Sequence, residues 1–341
     1  GFAPGARFSY QTDGAPGAKP QAAIRGPRLR NMPSPSGYFD LQVNGYGGVD
    51  FNSDGLTADQ LHLCCEKLAQ DRVAQILTTI ITDDLDRMCG RLARILELRE
   101  RDPLVRQMIP GFHIEGPFIN ETKGYRGAHP EAAIRPADPD AIRRLLDAAG
   151  GLTKLVTLAP ERDAGFNVTR LLAKQGVAVS AGHTDASLDE LKAAIDAGLS
   201  MFTHVGNGCP MLLNRHDNII QRALSLSDQL WLTFIADGVH VPWPALHNYL
   251  RAATLDRCIV VTDAISAAGL GPGRYTLGHW DLLIGDDLVA RAPDGSHLVG
   301  SAGTMPLSRR NLTQHLALTV VQVDQLTAVN PRVAVKVEVP K

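Results

Sequence analysis

The chain predicts an α/β fold of the (β/α)8 barrel type, with a reduced, small β-rich subdomain drawn from the chain ends. Two observations lead there. Between residues 38 and 262, eight short β-prone runs are separated for the most part by amphipathic helical stretches. Four of these runs end on, or within two residues of, a residue able to bind metal or move a proton. In parallel α/β proteins that position is the carboxyl end of a strand, where active sites are assembled.

Strands are expected at 38–43, 74–81, 107–114, 154–158, 177–181, 199–204, 231–236 and 257–262. Apolar residues at helical spacing place helices at 58–70, 85–100, 138–149, 168–174, 187–197 and 243–253. The helix at 187–197 opens on Ser187 with Glu190 three residues later, a reciprocal capping pattern. A strand pattern alone does not establish closure, so a doubly wound open sheet is the alternative. Residues 1–36, rich in Gly, Pro and Ala, read as an irregular arm that can join the small β subdomain. Residues 37–320 are assigned to the barrel, including a β insertion near 274–300, and 321–341 are expected to return to the small subdomain. Within these stretches 274–277, 288–292 and 296–299 read as short strands split by the turn Pro293-Asp294-Gly295, 307–320 as a helix, and 333–339 as a strand.

Composition removes several function classes. The 341 residues are 44% hydrophobic and 21% charged, which suits a soluble chain with a full core. A formal net charge of -2 without a basic block argues against a nucleic-acid partner. No apolar run approaches the roughly 18 residues of a membrane span, and no secretory-signal pattern opens the sequence. The five cysteines are odd in number and lack a CxxC pair, so a disulfide scaffold or cysteine-based zinc site is not expected and a reducing cytoplasm is.

Glu115, His183 and His204 supply a carboxylate and two imidazoles, the donor set of many catalytic zinc sites in which water takes the fourth position. Such an ion lowers the pKa of its water to near 7. Asp263 ends a buried-type strand and could take a proton from that water and return it to a leaving group. Gln42 and Asn44 point to one face of the first strand, where histidines would supply a second metal; neutral amides favour a single ion. His113 lies on the face of Glu115, two residues earlier, behind the ligands. His129, Asn207, Arg215 and His240 are candidates for substrate contact, because guanidinium and imidazole suit phosphate and an imidazole near a metal can polarise a carbonyl.

At these residues the chain resembles the amidohydrolase superfamily and, within it, the N-acetylglucosamine-6-phosphate deacetylases. The matching stretches are Gly37 to Gly45, Gly111 to Phe118, Lys123 with Gly127-Ala128-His129-Pro130, and Ala181-Gly182-His183-Thr184. They continue with Thr203-His204, Ala236-Asp237-Gly238-Val239-His240, Val261-Thr262-Asp263-Ala264 and Gly300 to Met305. The resemblance implies one divalent ion, Zn2+ first with Fe2+, Co2+ or Mn2+ as alternatives, on Glu115, His183 and His204. It makes Asp263 the general base and acid, and gives His129 the acetamide carbonyl. Asn207, Gly208, His240 and Arg215 would contact sugar and phosphate, with Arg215 donated across a homodimer interface. The chain departs from the family at Val205-Gly206-Asn207-Gly208-Cys209-Pro210, where the pattern is Asn-Ala-Met, and around Arg215. The implied reaction is hydrolysis of N-acetylglucosamine 6-phosphate to glucosamine 6-phosphate and acetate. The rivals are an amidohydrolase for another N-acyl or cyclic amide, and a noncatalytic sugar-phosphate-binding barrel, against which the acid at 263 speaks.

Overall fold

The computed structural model describes residues 37–277, 280–294 and 300–339; the arm at 1–36 and the expected strand at 296–299 lie outside them. Eight strands follow one another: β1 (Tyr38–Val43), β2 (Val73–Ile81), β3 (Gly111–Glu115), β4 (Thr153–Leu158), β5 (Ala178–Ala181), β6 (Leu199–Phe202), β7 (Trp231–Ile235) and β8 (Cys258–Val261). Each pairs in parallel with its successor. The two ends then meet. Val43 bridges Ala264, and the amides of Asn44 and Gly45 donate to the Ala264 carbonyl. A buried carboxylate reinforces this seam: Asp40 on β1 accepts from the Thr262 hydroxyl at 2.6 Å and from the amides of Thr262 and Gln42, both at 3.2 Å. Sequential order with meeting ends is a barrel, and the open sheet, whose strand order reverses, is set aside.

The helices between strands are α1 (Ala58–Gln70), α2 (Leu85–Arg101), α3 (Pro103–Met108), α4 (Pro139–Ala148), α5 (Asn167–Lys174), α6 (Leu188–Ala197), α7 (Ile219–Ser225) and α8 (Trp243–Ala253). Side-chain caps set several starts. Thr57 with Gln60 and Ser187 with Glu190 form reciprocal boxes, and Asp84, Asp102 and Asp138 accept from first-turn amides. Strand alternation then divides the core in two. Phe39, Leu41, Leu77, Leu155, Met201, Ile235, Ile259 and Val261 fill the barrel interior. Their neighbours, including Ile76, Ile80, Phe112, Ile114, Val156 and Val260, pack outward against the helices.

Several expectations are corrected. The third strand is Gly111–Glu115 rather than 107–114, because Asp102 caps and Pro103 opens an extra helix, α3, that runs to Met108. The helix expected over 307–320 is α9 (Met305–His315); Ala317, with φ 52°, breaks it, and Thr319 caps a new helix, α10 (Val320–Asp324). The strand expected at 333–339 is instead helical as far as Val335. A π-helical turn, Gln325–Val329, leads from α10 into α11 (Asn330–Val335). This run closes the barrel floor, which overrides the alternating valines. Val335 joins the interior cluster, Asn330 donates to the carbonyls of Leu255 and Cys258, and the Arg332 guanidinium lies over the Phe39 ring. Among the described residues no strand follows Ala290–Arg291, so 321–339 do not return to a β subdomain.

A small antiparallel sheet does follow the barrel: β9 (Gly273–Leu277), β10 (Trp280–Ile284) and β11 (Ala290–Arg291). Its middle strand was not expected, and β11 is shorter than the 288–292 expected. No helix among the described residues is long and apolar enough to cross a membrane.

Candidate metal centre

Three of the four strands carrying the candidate residues end before them. Glu115 closes β3, but β5, β6 and β8 stop at Ala181, Phe202 and Val261, each two residues short of His183, His204 and Asp263. All three of these later residues adopt left-handed backbone, with φ of 52°, 33° and 50°. Such conformations cost about 1–3 kcal/mol each for a side chain with a Cβ, and structures retain them where the surroundings over-determine them. Here one device is repeated: strand, one intervening residue, then a left-handed residue at the barrel mouth.

Glu115, His183 and His204 converge, and all three are buried. Glu115 Oε1 lies 3.3 Å from His183 Nε2 and 3.2 Å from His204 Nε2, and the two nitrogens are 3.1 Å apart. Donors bound at 2.0–2.1 Å around a tetrahedral ion would stand roughly 3.3–3.4 Å from one another. His183 Nδ1 donates to the Tyr125 carbonyl at 2.7 Å, which leaves the Nε2 lone pair as the ligand. The residues therefore fit a divalent ion in a nitrogen/oxygen site. Gly127 and Gly208 press against the triad: a Cβ on either would stand 3.0 Å from the His183 ring, and one on Gly208 3.1 Å from His204 Cε1.

Charges at the centre are mutually dependent. Burial would raise the Glu115 pKa, yet hydrogen bonds to His183 and His204 and the surrounding imidazoles hold it well below the usual range. Asp263 behaves oppositely. Loss of solvation and the Glu115 charge push it up to about 6, against the pull of His204 and of Asn44, whose Nδ2 donates to Oδ1 at 2.8 Å. Gln42 Nε2 donates to Glu115 Oε1 at 3.1 Å.

His129 stacks edge-on to His183 at 4.4 Å, with its Nδ1 buried and unpaired. Burial pushes its pKa down to about 3, so the ring is neutral. His113 sits one layer below the triad, outside the ligand set, between Thr79 Oγ1 and Thr157 Oγ1 at 3.3 and 2.8 Å. Asn207 Nδ2 is buried without a partner. His240 Nδ1 meets Asp237 Oδ2 at 2.5 Å; burial would lower the His240 pKa, but Asp237 and then Asp263 outweigh it and raise it. Arg215 is not gathered into the centre. It is exposed, on a loop that also holds Met211 and Leu212 at 100% and 92% exposure.

Five contributors were not picked out from sequence. Asp237 had a readable signal, an acid three residues before His240. The hydroxyls of Thr157, Thr203 and Ser180, which link to one another beneath the ligands, could be suspected only from strand alternation. The Tyr125 carbonyl is a main-chain group and carries no residue signal.

A barrel with such a centre at the mouth of its strands is that of the amidohydrolases. No protein-family model matches the chain. The chain is 32% identical over 304 residues to the N-acetylglucosamine-6-phosphate deacetylase of Bos taurus, covering 86% of this chain and 72% of that protein. It is 30% identical over 294 residues to an N-acetylgalactosamine-6-phosphate deacetylase of Escherichia coli, covering 86% and 76%. A solved structure of a point mutant of the Mycobacterium smegmatis N-acetyl-D-glucosamine-6-phosphate deacetylase, in complex with N-acetyl-D-glucosamine-6-phosphate, superposes with a TM-score of 0.78 at 28% identity, covering 89% of this chain and 77% of that one. The chain belongs to the N-acetylglucosamine-6-phosphate deacetylase family.

Proposed function

We propose that the chain hydrolyses the acetamide of an N-acetylhexosamine 6-phosphate, with N-acetylglucosamine 6-phosphate as the first candidate, to acetate and the free amino sugar phosphate. The observation that carries this reading is the spacing of Glu115, His183 and His204, with Asp263 beside them. An ion held there, Zn2+ in this proposal with Fe2+, Co2+ or Mn2+ as alternatives, would supply a water of lowered pKa and polarise the carbonyl. Asp263, with one oxygen held by Asn44, takes the proton of the attacking water. As the C–O bond forms and the C–N bond breaks, it returns that proton to the departing nitrogen. A carboxyl pKa near 6 serves both roles around neutral pH. The neutral His129 ring donates a hydrogen bond to the carbonyl oxygen, while Asn207, Gly208 and His240 contact the sugar phosphate.

Arg215 reaches the phosphate of a second copy in a homodimer, and the exposed Met211 and Leu212 beside it anchor that contact. Arg215→Ala is expected to raise KM for the phosphorylated sugar about 10-fold or more, as loss of a charge-assisted contact does, and to leave the unphosphorylated sugar unaffected. Acetate release from both sugars checks this, and equal effects on both would exclude a phosphate role. A cytoplasmic location is proposed from five free cysteines.

His240 gives a pH signature. Its raised pKa keeps the imidazolium populated above the ordinary value of 6.5, and the cation is lost as pH rises through the raised pKa. KM for the phosphorylated substrate should therefore climb across that window. Asp237→Asn should move the climb to lower pH, and an unshifted KM profile counts against the pairing.

The sugar epimer is the open choice within the reading, because the relatives include both gluco- and galacto-deacetylases. Comparing N-acetylglucosamine 6-phosphate with its galacto epimer, N-acetyl amino acids and a cyclic amide decides it. A noncatalytic binder would show affinity with no acetate released.

A further inference from the structure

One strand meets both acids of the centre. Gln42 lies near the end of β1 and Asn44 is the first residue beyond it, and the side chains of both reach the centre. Gln42 is buried and donates Nε2 to Glu115 Oε1, the same oxygen that faces both histidine nitrogens. Asn44 donates Nδ2 to Asp263 Oδ1, and its own Oδ1 is buried with no partner. That amide cannot turn over without setting a carbonyl oxygen against the carboxylate, so its orientation follows from the charge it serves. The backbone beneath is also tied down. The amides of Asn44 and Gly45 donate to Ala264, next to Asp263, and the Val43 amide donates to Thr79 Oγ1. Register between the two acids and their amide donors is thereby set on both sides of β1.

We infer that Gln42 and Asn44 are positioning residues with separate tasks: Gln42 fixes the carboxylate that holds the ion, and Asn44 fixes the carboxylate that moves the proton. The inference rests on the deacetylase reading for the second task alone. Acidic groups of opposite duty lie within electrostatic reach of one another here, and a like-charged pair left unrestrained would drift towards any common cation. Two amide donors, each committed to one acid, keep the ligand and the proton carrier from exchanging places. They do so without adding charge, which is why neutral amides suit the positions.

The two tasks are separable by measurement. Gln42→Leu should raise the dissociation constant for Zn2+, read by competition with a chromophoric chelator, about 10–100-fold, the usual cost of losing a partner behind a metal ligand. Asn44→Leu should leave that constant within about twofold of wild type, yet lower kcat about 10-fold or more with KM little changed, as loss of a hydrogen bond to a charged group does. Gln42→Met and Asn44→Ser repeat both arms should a leucine variant fail to fold, as judged by circular dichroism. Reversed effects, or equal effects of both variants on both quantities, overturn the division of tasks. A wild-type chain that binds Zn2+ but releases no acetate sinks the deacetylase reading and the Asn44 half with it. The Gln42 half is still decided by the metal titration.

Discussion

Asp263→Asn is expected to lower kcat by roughly 10²–10⁴, the scale of a lost general acid/base, while metal content stays at the wild-type level. The argument is geometric. Asp263 is outside the triad of ligand atoms, so removing its charge leaves Glu115, His183 and His204 in place. What disappears is the group that carries a proton from water to nitrogen, and asparagine, similar in shape, cannot accept it. Metal analysis and acetate release on the same preparation test both halves. A variant that turns over at the wild-type rate would falsify the base assignment, and one that loses its metal would move Asp263 into the ligand set. The pH profile of the wild type supplies an independent reading. Burial and the Glu115 charge hold the Asp263 carboxyl above its usual range, so its carboxylate form is depleted as pH falls through the raised pKa and kcat should decline on the acid side.

Stripping the metal should have an effect at least as large. Dialysis against a chelator is expected to reduce acetate release on the order of 10³-fold or more, because unaided water has a pKa of 15.7 and is a poor nucleophile at neutral pH. Activity should return on adding Zn2+, Co2+, Fe2+ or Mn2+, and the relative recoveries identify the preferred ion. His183→Ala should abolish that recovery, since the remaining Glu115 and His204 no longer enclose an ion. The fold should survive in both cases. The barrel interior and helical layer lie beneath the centre and are apolar, so far-ultraviolet circular dichroism is expected to change little. Full activity after exhaustive chelation would remove the ion from the reaction.

Much of this site is legible in one dimension because strand ends are legible. A β-prone run such as Cys258-Ile259-Val260-Val261 needs burial on both faces, and the first acid after it must sit where the chain leaves the sheet. The same logic found Glu115 after Gly111-Phe112-His113-Ile114. Helix starts were equally local, as at Ser187 with Glu190, since a cap and its amide are neighbours in the chain. The floor of the barrel was not. Val333, Val335, Val337 and Val339 alternate as in a strand, but Val335 is buried in the interior cluster with Phe39, Leu41 and Leu77, and distant packing decides the conformation. A helix start was missed at Pro103, where a β-prone reading of 107–114 hid a capped proline.

The primary structure alone determined the eightfold alternation and the choice of three candidate ligand residues with an acid beside them, because each depends on side-chain chemistry and on spacing within a short segment. Tertiary structure alone decided that β1 meets β8 through Asp40, that His183 presents Nε2 because the Tyr125 carbonyl takes Nδ1, and which amide restrains which acid. Those are contacts between residues 73 to 222 positions apart in the chain, apart from the His183 bond at 58. Their partners are chosen by closure of the sheet, which brings together groups that no local pattern links.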